Sequence, residues 1–428
     1  MTQHAIGIDF GTTNSTVALA SPDGSVRSLS WPSVSGPVEV FRTALTFWSE
    51  GRPPRAAVRH VAGPQALERA LNPDGHHRFV QSIKTYLATR SFTETRLYGQ
   101  RYTIEALVST FLRHLTAPEA EALLAPGTPI VGGRPVIFAG QSPDETLAVS
   151  RLKTAFANAG LPSVDFAFEP LGAAYWYART LRRDETVLVA DFGGGTSDFS
   201  VIRFALDTKG RPQGTALAHT GVGVAGDTFD FRLVDHLVSP QLGKGSHYRS
   251  FDKLLPFPAY VHAAFAQWHQ LSWLKTPKTM AELKALLAAS DAPDSIETLI
   301  AFLDLDLGFE LYRAVGALKA RLSDADAAEL DFNSAGVQLK AKVSRREFES
   351  FIAPDLARIA GAADAALAEA GLIASDIDAV FMTGGTSYVP AVRQLFVDRF
   401  GADRIHTGNA FQSVASGLAL LAADQARR

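Results

Sequence analysis

Two segments of this sequence place a carboxylate just before a turn that is rich in glycine and hydroxyl side chains. The first is Asp9-Phe10-Gly11-Thr12-Thr13-Asn14, and the second is Asp191-Phe192-Gly193-Gly194-Gly195-Thr196. The amides and hydroxyls of such a turn can surround a phosphate, while the carboxylate reaches a hydrated Mg²⁺ ion. For the first segment, a tight hairpin stabilised by Asx and hydroxyl turns is an equal alternative.

The second turn indicates ligand binding more strongly, because it contains three consecutive glycines. Glycine loses more conformational entropy on folding than any other residue, so such a run is costly unless the backbone must approach another group closely. A flexible loop is the alternative interpretation. Two turns of this kind could hold a polyphosphate from both sides, which one turn alone cannot do.

The two segments share a local context that suggests an internal duplication. Apolar strands are predicted over Ile6–Asp9 and Val17–Ala20 around the first turn, and over Val187–Asp191 and Phe199–Ile202 around the second. The letters Asp-Phe-Gly recur 182 residues apart (191 − 9). A repeat of this length predicts two equivalent lobes, each presenting one polar turn to a shared cleft.

A third glycine turn, Gly384-Gly385-Thr386, follows the apolar strand Ala379–Phe381 and precedes a helix predicted over Val389–Phe400. Paired glycines there allow a flat ring or a sugar to lie against the backbone, and the N-terminus of the helix favours phosphate oxygens. An ordinary connection between a strand and a helix is the alternative.

Helix patterns fill the segments between the strands. A strand over Val136–Phe138 precedes a helix predicted over Asp144–Ala159, and another helix over Phe309–Leu322 carries apolar residues on one face. A longer helix over Arg345–Ala370 is expected to break at Pro354. Strands that alternate with helices of this length predict an α/β fold with both faces of each sheet covered.

The predicted domain organisation has two lobes. Lobe I covers residues 1–184 with an insertion at about 46–99, and lobe II covers residues 185–428 with a mostly helical insertion at about 228–306.

The composition of the chain excludes several classes of protein. Its 428 residues are 46% hydrophobic, as in ordinary globular proteins, and the formal net charge of −3 gives no broad attraction to nucleic acid or anionic membrane. Its apolar runs are shorter than the ~20 residues that cross a bilayer. The absence of cysteine excludes disulfides, thiolate nucleophiles and Cys-ligated clusters. We therefore expect a cytoplasmic protein with neither a nucleic acid nor a membrane as partner.

Five motifs, taken in order, resemble the ATPase domain of the DnaK-type, seventy-kilodalton heat-shock family of chaperones, within the actin and sugar-kinase superfamily. They are the two carboxylate turns, Glu169–Ala174, Gly226–Asp230 and Gly384–Thr386. The resemblance implies a duplicated actin-like (ribonuclease H-like) ATPase fold, with two lobes around a nucleotide cleft and a subdomain inserted in each. It also implies ATP or ADP and Mg²⁺ as ligands, slow hydrolysis with lobe opening and closing as the output, and a client or co-chaperone protein as partner.

The resemblance also assigns roles to individual residues. It places the Mg²⁺ ion at Asp9 and Asp191, with Glu169 as a further carboxylate around the ion. Lys84 matches the lysine that faces the γ-phosphate and the attacking water, and Thr196 orients phosphate or water; an exposed helix lysine is the alternative for Lys84. The other nucleotide contacts that it implies are Gly11, Thr12, Thr13, Asn14, Gly193, Gly194, Gly195, Gly226, Asp227, Lys319, Ser323, Gly384, Gly385, Thr386 and Tyr388.

The sequence departs from the family pattern at three nucleotide positions and at its end. Gly316 replaces a glutamate of the adenine-lining helix, Tyr388 replaces a stacking arginine, and Phe411 replaces a late aspartate, which leaves the base preference open. After a final helix predicted over Phe411–Arg428, no β-sandwich for peptides follows. The chain thus resembles the short YegD-like branch, which has the nucleotide domain alone.

Two other functions remain open from the sequence. One is a nucleotide-sensing scaffold that binds ATP or ADP without hydrolysis, and the other is a small-molecule kinase of the same superfamily. A kinase needs a carboxylate base for a sugar hydroxyl, and none is evidently placed for this role, although the inserted regions could contain one.

Overall fold

The structure is a computed structural model of the chain. It describes residues 4–51, 56–71, 77–119, 125, 127–140, 142–161, 163–208, 210, 212–266, 271–408 and 412–426, without the side chains of residues 272 and 273. The strands in this part of the chain are β1 (Ala5–Phe10), β2 (Asn14–Ala20), β3 (Val26–Ser28), β4 (Phe41–Arg42), β5 (Ala44–Glu50), β6 (Ala57–Ala62), β7 (His77–Gln81), β8 (Glu94–Leu97), β9 (Gln100–Thr103), β10 (Ile130–Arg134), β11 (Val164–Phe168), β12 (Glu185–Phe192), β13 (Ser197–Leu206), β14 (Pro212–Val222), β15 (His247–Ser250), β16 (Lys253–Pro256), β17 (Ala327–Ser334), β18 (Val337–Ser344), β19 (Ala379–Thr383) and β20 (Ile405–Thr407). The α-helices are α1 (Pro64–Ala70), α2 (Ile104–Thr116), α3 (Glu145–Asn158), α4 (Glu169–Ala178), α5 (Gly226–Leu233), α6 (Ala259–Ala263), α7 (Leu271–Leu274), α8 (Pro277–Ala289), α9 (Pro293–Asp304), α10 (Gly308–Asp324), α11 (Arg345–Ala370), α12 (Pro390–Phe400) and α13 (Ser413–Gln425).

The chain divides into two compact units. The first unit comprises Met1–Ala225, Arg358–Ser387 and Val392–Arg428, and the second comprises Gly226–Ala357 and Tyr388–Ala391. These units are not the predicted lobes, whose boundaries remain a prediction.

Two sheets of the first unit have the same topology. Their strand orders are β3-β2-β1-β10-β11, with β4 added beside β2, and β14-β13-β12-β19-β20. In each sheet a central antiparallel hairpin, β1–β2 or β12–β13, continues into two parallel strands on one side and an antiparallel strand on the other. The hairpin registers also match, because Asp9 pairs with Thr16 and Asp191 pairs with Asp198. The predictions of an α/β fold and of an internal duplication are confirmed.

Helices α4 and α13 pack against both sheets in one apolar cluster. The cluster combines Ala5, Val131, Val187 and Ala379 from the strands with side chains from the two helices. The helices cross where a Cβ on Gly417 would lie 1.6 Å from the carbonyl oxygen of Gly172. Only glycine fits position 417, and the crossing fixes the helix that begins at Glu169.

A three-stranded sheet in the segment predicted as the first insertion has the order β6-β5-β7. Phe47 of β5 is fully buried in a second apolar cluster that contains Phe111 of α2 and Phe156 of α3. A hydrogen bond joins β5 to helix α1, because the Thr46 hydroxyl donates to the carbonyl oxygen of Ala66 at 2.7 Å. The short 3₁₀ helix Ile83–Tyr86 follows this sheet.

The second unit combines helices α5 to α10 with two hairpins, β15–β16 and β17–β18. The buried residues of α10 include the predicted apolar face, which is Leu311, Val315, Leu318 and Leu322. The segment at about 228–306 has the expected helices, and the hairpin β15–β16 lies among them.

Two local predictions are wrong. The strand predicted over Val136–Phe138 lies instead at Ile130–Arg134, because Pro135 has no amide hydrogen for a sheet and the next two amides donate to Asp198. Helix α11 continues through Pro354 without a break, and the buried carboxylate of the next residue, Asp355, forms an ion pair at 2.7 Å with the partly exposed Arg232.

The helices predicted over Asp144–Ala159 and Val389–Phe400 occur at Glu145–Asn158 and Pro390–Phe400. The side chain of Asp144 accepts a hydrogen bond from the amide of Leu147 and caps the first of these helices. Among the described residues, no helix combines the length and the apolar character that crossing a bilayer requires.

Candidate functional site

The two carboxylate turns lie beside each other in the first unit. The pairs Phe10–Ser15 and Phe192–Ser197 close two turns of equal length at corresponding positions of the two sheets. A Cβ built on Gly195 would lie 3.9 Å from Oγ1 of Thr12. The structure thus brings together the two turns that the sequence singled out.

The two turns differ in whether their own backbone geometry requires glycine. A Cβ on Gly11 would lie 2.1 Å from the carbonyl oxygen of Asn14, so the first turn itself requires glycine. Neither Gly193 nor Gly195 has a positive φ, and a Cβ at Gly195 would meet no described atom closer than 3.6 Å. Neither the backbone conformation nor the packing demands glycine at position 195, which leaves room there for a ligand.

A buried ion pair lies behind the turns. The Nζ atom of Lys84 is 2.5 Å from Oε1 of Glu169, and Lys84 is only 6% exposed. Lys84 belongs to the 3₁₀ helix Ile83–Tyr86, and Glu169 opens α4 with Pro170 next to it. A Cβ on Gly133 would lie 3.0 Å from Cγ of Glu169, so the glycine of β10 makes room for this carboxylate.

The carboxylates around Lys84 strongly influence one another. Burial, followed by the charge of Glu169, raises the pKa of Asp9 to about 7, although Lys84 opposes the shift. Burial and the neighbouring carboxylates, Glu169 first, raise the pKa of Asp191 well above its usual range. Burial lowers the pKa of Lys84, but attraction by Glu169 and Asp9 outweighs it and leaves the pKa raised, so the lysine stays charged.

Asp198 is a further member of this cluster that the sequence analysis missed. Its Oδ1 accepts hydrogen bonds from the amides of Val136 and Ile137, both at 3.1 Å, and its Oδ2 accepts one from the Thr196 hydroxyl at 2.8 Å. Burial, with the charge of Glu169 next, raises the pKa of Asp198 to about 7. The signal was its register position, because it is the counterpart of Thr16 in the repeat and pairs with Asp191.

The cluster fits a hydrated Mg²⁺ ion better than a fully protein-ligated one. It holds the carboxylates of Asp9, Glu169, Asp191 and Asp198 near one ammonium group, and a bound cation would relieve the repulsion that raises the pKa values of the three aspartates. Within the described ranges, no three His, Asp or Glu side chains converge closely enough to ligate a metal directly. Mg²⁺ usually keeps several waters and uses one or two carboxylates, as this donor set would allow.

The third glycine turn packs onto the second. Gly384 has φ +83°, and a Cβ on it would lie 2.1 Å from the carbonyl oxygen of Phe192. The Thr386 hydroxyl donates to the carbonyl oxygen of Gly193 at 3.1 Å. This glycine is therefore required by the fold, and its presence alone does not indicate a ligand.

The other predicted nucleotide residues lie in the second unit. Nζ of Lys319 is 2.9 Å from the carbonyl oxygen of Gly226 and 2.9 Å from Oδ1 of Asp230, near the start of α5, where Asp227 also lies. Ser323 lies one turn further along α10. The side chain at Tyr388 is 57% exposed, and a Cβ on Gly316 would meet no described atom within 4 Å. Phe411 lies outside the described residues.

Comparison with known proteins gives one consistent result. A family model described as "Hsp70 protein" matches residues 68–247 and 307–425. The chaperone protein DnaK of Thermus thermophilus is 26% identical over 441 residues, a match that covers 98% of this chain and 60% of that protein. DnaK of Thermotoga maritima is 26% identical over 430 residues, covering 98% and 59%. The chain thus spans about 60% of the length of the curated relatives it matches.

Proposed function

The chain belongs to the Hsp70 protein family, and on this premise we propose that it binds ATP together with Mg²⁺ and hydrolyses the ATP slowly. The observation that supports the proposal most directly is that Gly195 of the second turn lies close to Thr12 of the first. A triphosphate between these turns would meet backbone amides and hydroxyls from both sheets, with the carboxylate cluster beside it.

In this proposal each residue of the cluster has a separate task. Asp9 and Asp191 would hold the waters of a hydrated Mg²⁺ ion, which offsets the charge of the phosphate oxygens when it is bound. Glu169 holds the ammonium group of Lys84 in place, and Lys84 faces the γ-phosphate and compensates the charge that develops there.

Thr196 would orient the attacking water. Its hydroxyl proton points to Asp198, which leaves the Thr196 oxygen free to accept a hydrogen bond from a water molecule. Ordered positioning, without a covalent intermediate, would then supply the catalysis.

The test is the rate of phosphate release by a Lys84→Met variant. We expect release to fall by about 100-fold or more, as when a transition-state donor is removed, with a smaller change in ATP affinity. Lys153→Met, which changes an exposed lysine of α3, is the matched control. Circular dichroism verifies that each variant folds. Glu169→Gln removes the negative charge of the partner of Lys84 and so tests the same ion pair through its second residue. Equal rates above background in all four proteins would refute hydrolysis through Lys84, and no release above background in any of them would favour the nucleotide-sensing scaffold.

We extend the proposal to a protein partner and to the cytoplasm. The DnaK relatives are named chaperones, and a client or co-chaperone would respond to opening and closing of the two lobes. A nucleotide can drive this change only through different affinities for the open and closed states.

A further inference from the structure

A pair of histidines lies between the inserted three-stranded sheet and helix α2. His60 is an exposed residue of β6, and His114 lies in the last turn of α2. Nδ1 of His60 is 3.0 Å from Nε2 of His114, and the two rings are nearly perpendicular at 85°. The proposed ATP function uses neither residue.

Both rings are suited to donate a lone pair. Partial burial of the ring against the neighbouring helix, with repulsion from Arg113, lowers the pKa of His60 although the residue as a whole is exposed. Burial also lowers the pKa of His114, with repulsion from His60 and then Arg113. Among the described residues, no carboxylate forms an ion pair with either ring. Neutral imidazole is the form that binds transition metals, and at neutral pH little proton displacement would be needed.

We propose that His60 and His114 form a two-imidazole site for a divalent transition metal, with water completing the coordination shell. The facing nitrogens are 3.0 Å apart in the hydrogen bond, so rotation of the rings can bring both lone pairs onto one ion at metal–nitrogen distances of ~2.1 Å. Imidazole suits Zn²⁺, Ni²⁺ and Cu²⁺ alike, and Ni²⁺ and Cu²⁺ serve here as probes of the site. In the hydrogen bond the nitrogens point at each other and one of them carries the proton. When an ion binds, this proton moves to the other nitrogen of the same ring, and each ring turns about its Cβ–Cγ bond to direct a lone pair at the ion.

The bound ion would link two elements that are distant in sequence. His60 lies on an edge strand of the inserted sheet, and its ring is 5.7 Å from that of buried Phe47. His114 lies on the helix that packs beneath this sheet. A metal at this position therefore stabilises the attachment of the inserted sheet, because it binds the folded arrangement and not the unfolded chain.

Calorimetric titration of the full chain with Ni²⁺, in excess Mg²⁺ to occupy oxygen-rich sites, tests the proposal. We expect one saturable Ni²⁺ site that is lost in His60→Ala and in His114→Ala. His247→Ala, which removes a histidine paired with Asp291 in the second unit, should retain the site. The midpoint of thermal unfolding should rise by about 3 °C at a free Ni²⁺ concentration near 100 times the Kd, and a chelator should reverse the rise.

Two further measurements keep the test decisive. If an alanine variant fails to fold, His60→Gln and His114→Gln retain a polar side chain and should still lose the site. Electron paramagnetic resonance of the Cu²⁺ complex should show hyperfine coupling to two imidazole nitrogens. Titrations that do not differ between the natural chain and the His60 and His114 variants would overturn the proposal, as would a Cu²⁺ spectrum without nitrogen coupling.

Discussion

Asp198 supports two neighbouring parts of the proposed site through one carboxylate. It holds the amides of Val136 and Ile137 with one oxygen and the Thr196 hydroxyl with the other, and it is only 2% exposed. Its structural task and its proposed catalytic task can therefore be separated by the choice of substitution.

Asp198→Ala should lower the free energy of unfolding by about 2 kcal/mol, because it leaves two partly buried amides without their acceptor. Asp198→Asn keeps an acceptor oxygen for these amides and should remain within about 1 kcal/mol of the natural chain. The asparagine amide would donate to Thr196 and reverse the direction of its hydroxyl, so phosphate release should still fall. Urea unfolding and a phosphate assay measure the two effects, and equal stability of the two variants would contradict the structural role.

The buried side chain of His262 should make the free energy of unfolding fall in acid. Neither of its ring nitrogens has a hydrogen-bond partner among the described residues, and the side chain is 5% exposed. Burial, with repulsion from Lys244, lowers its pKa from 6.5 to about 4. The folded state binds the proton less readily than the unfolded chain. The stability that comes from keeping His262 neutral is therefore complete above pH 6.5 and is lost as the pH falls towards 4.

Between pH 7.5 and pH 5, the free energy of unfolding should fall by about 2 kcal/mol more in the natural chain than in His262→Leu, at about 1.4 kcal/mol per pKa unit. Chemical unfolding at the two pH values measures the difference, which cancels the titration of all other groups. Parallel pH profiles for the two proteins would show that His262 is protonated as easily in the folded protein as in the unfolded chain.

At the scale of elements, the crossing of α4 and α13 positions the site. Gly417→Ala should lower the free energy of unfolding by about 3 kcal/mol or more, because its methyl group would overlap the backbone of Gly172. Gly361→Ala, in α11, adds the same methyl group where no described atom lies within 4 Å and should be neutral or stabilising.

The Gly417 variant should also bind ATP more weakly, since α4 carries Glu169 at its start and any shift of the helix disturbs the pair with Lys84. Thermal unfolding and nucleotide titration of the two glycine variants measure both effects. A stable Gly417→Ala protein with unchanged affinity would show that the crossing does not control the site.

The sequence predicts local elements better than it predicts contacts. The hairpins of both turns and the apolar face of α10 follow from alternation and helical spacing, which are local properties. The pair of Lys84 with Glu169 joins positions 85 residues apart, and no local pattern encodes it. The strand placed at Val136–Phe138 failed because an apolar triplet after proline looks like a strand, whereas its amides bond to a side chain of the other sheet.

At the scale of the whole molecule, membership in the Hsp70 family implies the duplicated actin-like ATPase fold, and the two sheets of identical strand order agree with it. The proposed opening and closing of lobes predicts that Mg-ATP changes the small-angle scattering profile of the chain. Mg-ADP should give a different profile, because the two nucleotides would favour different states. Identical profiles with and without nucleotide would contradict this output.

The most direct test of the account is a calorimetric titration of Mg-ATP into the natural chain and into Gly195→Ala. The added methyl group would lie 3.6 Å from Cβ of Ala139, which is an ordinary contact, so the variant should fold normally. It would occupy the space between the two turns, where the triphosphate is proposed to bind. We predict saturable binding of one Mg-ATP to the natural chain and at least about tenfold weaker binding to the variant. No saturable heat with the natural chain, or equal affinity in the two proteins, would contradict the account.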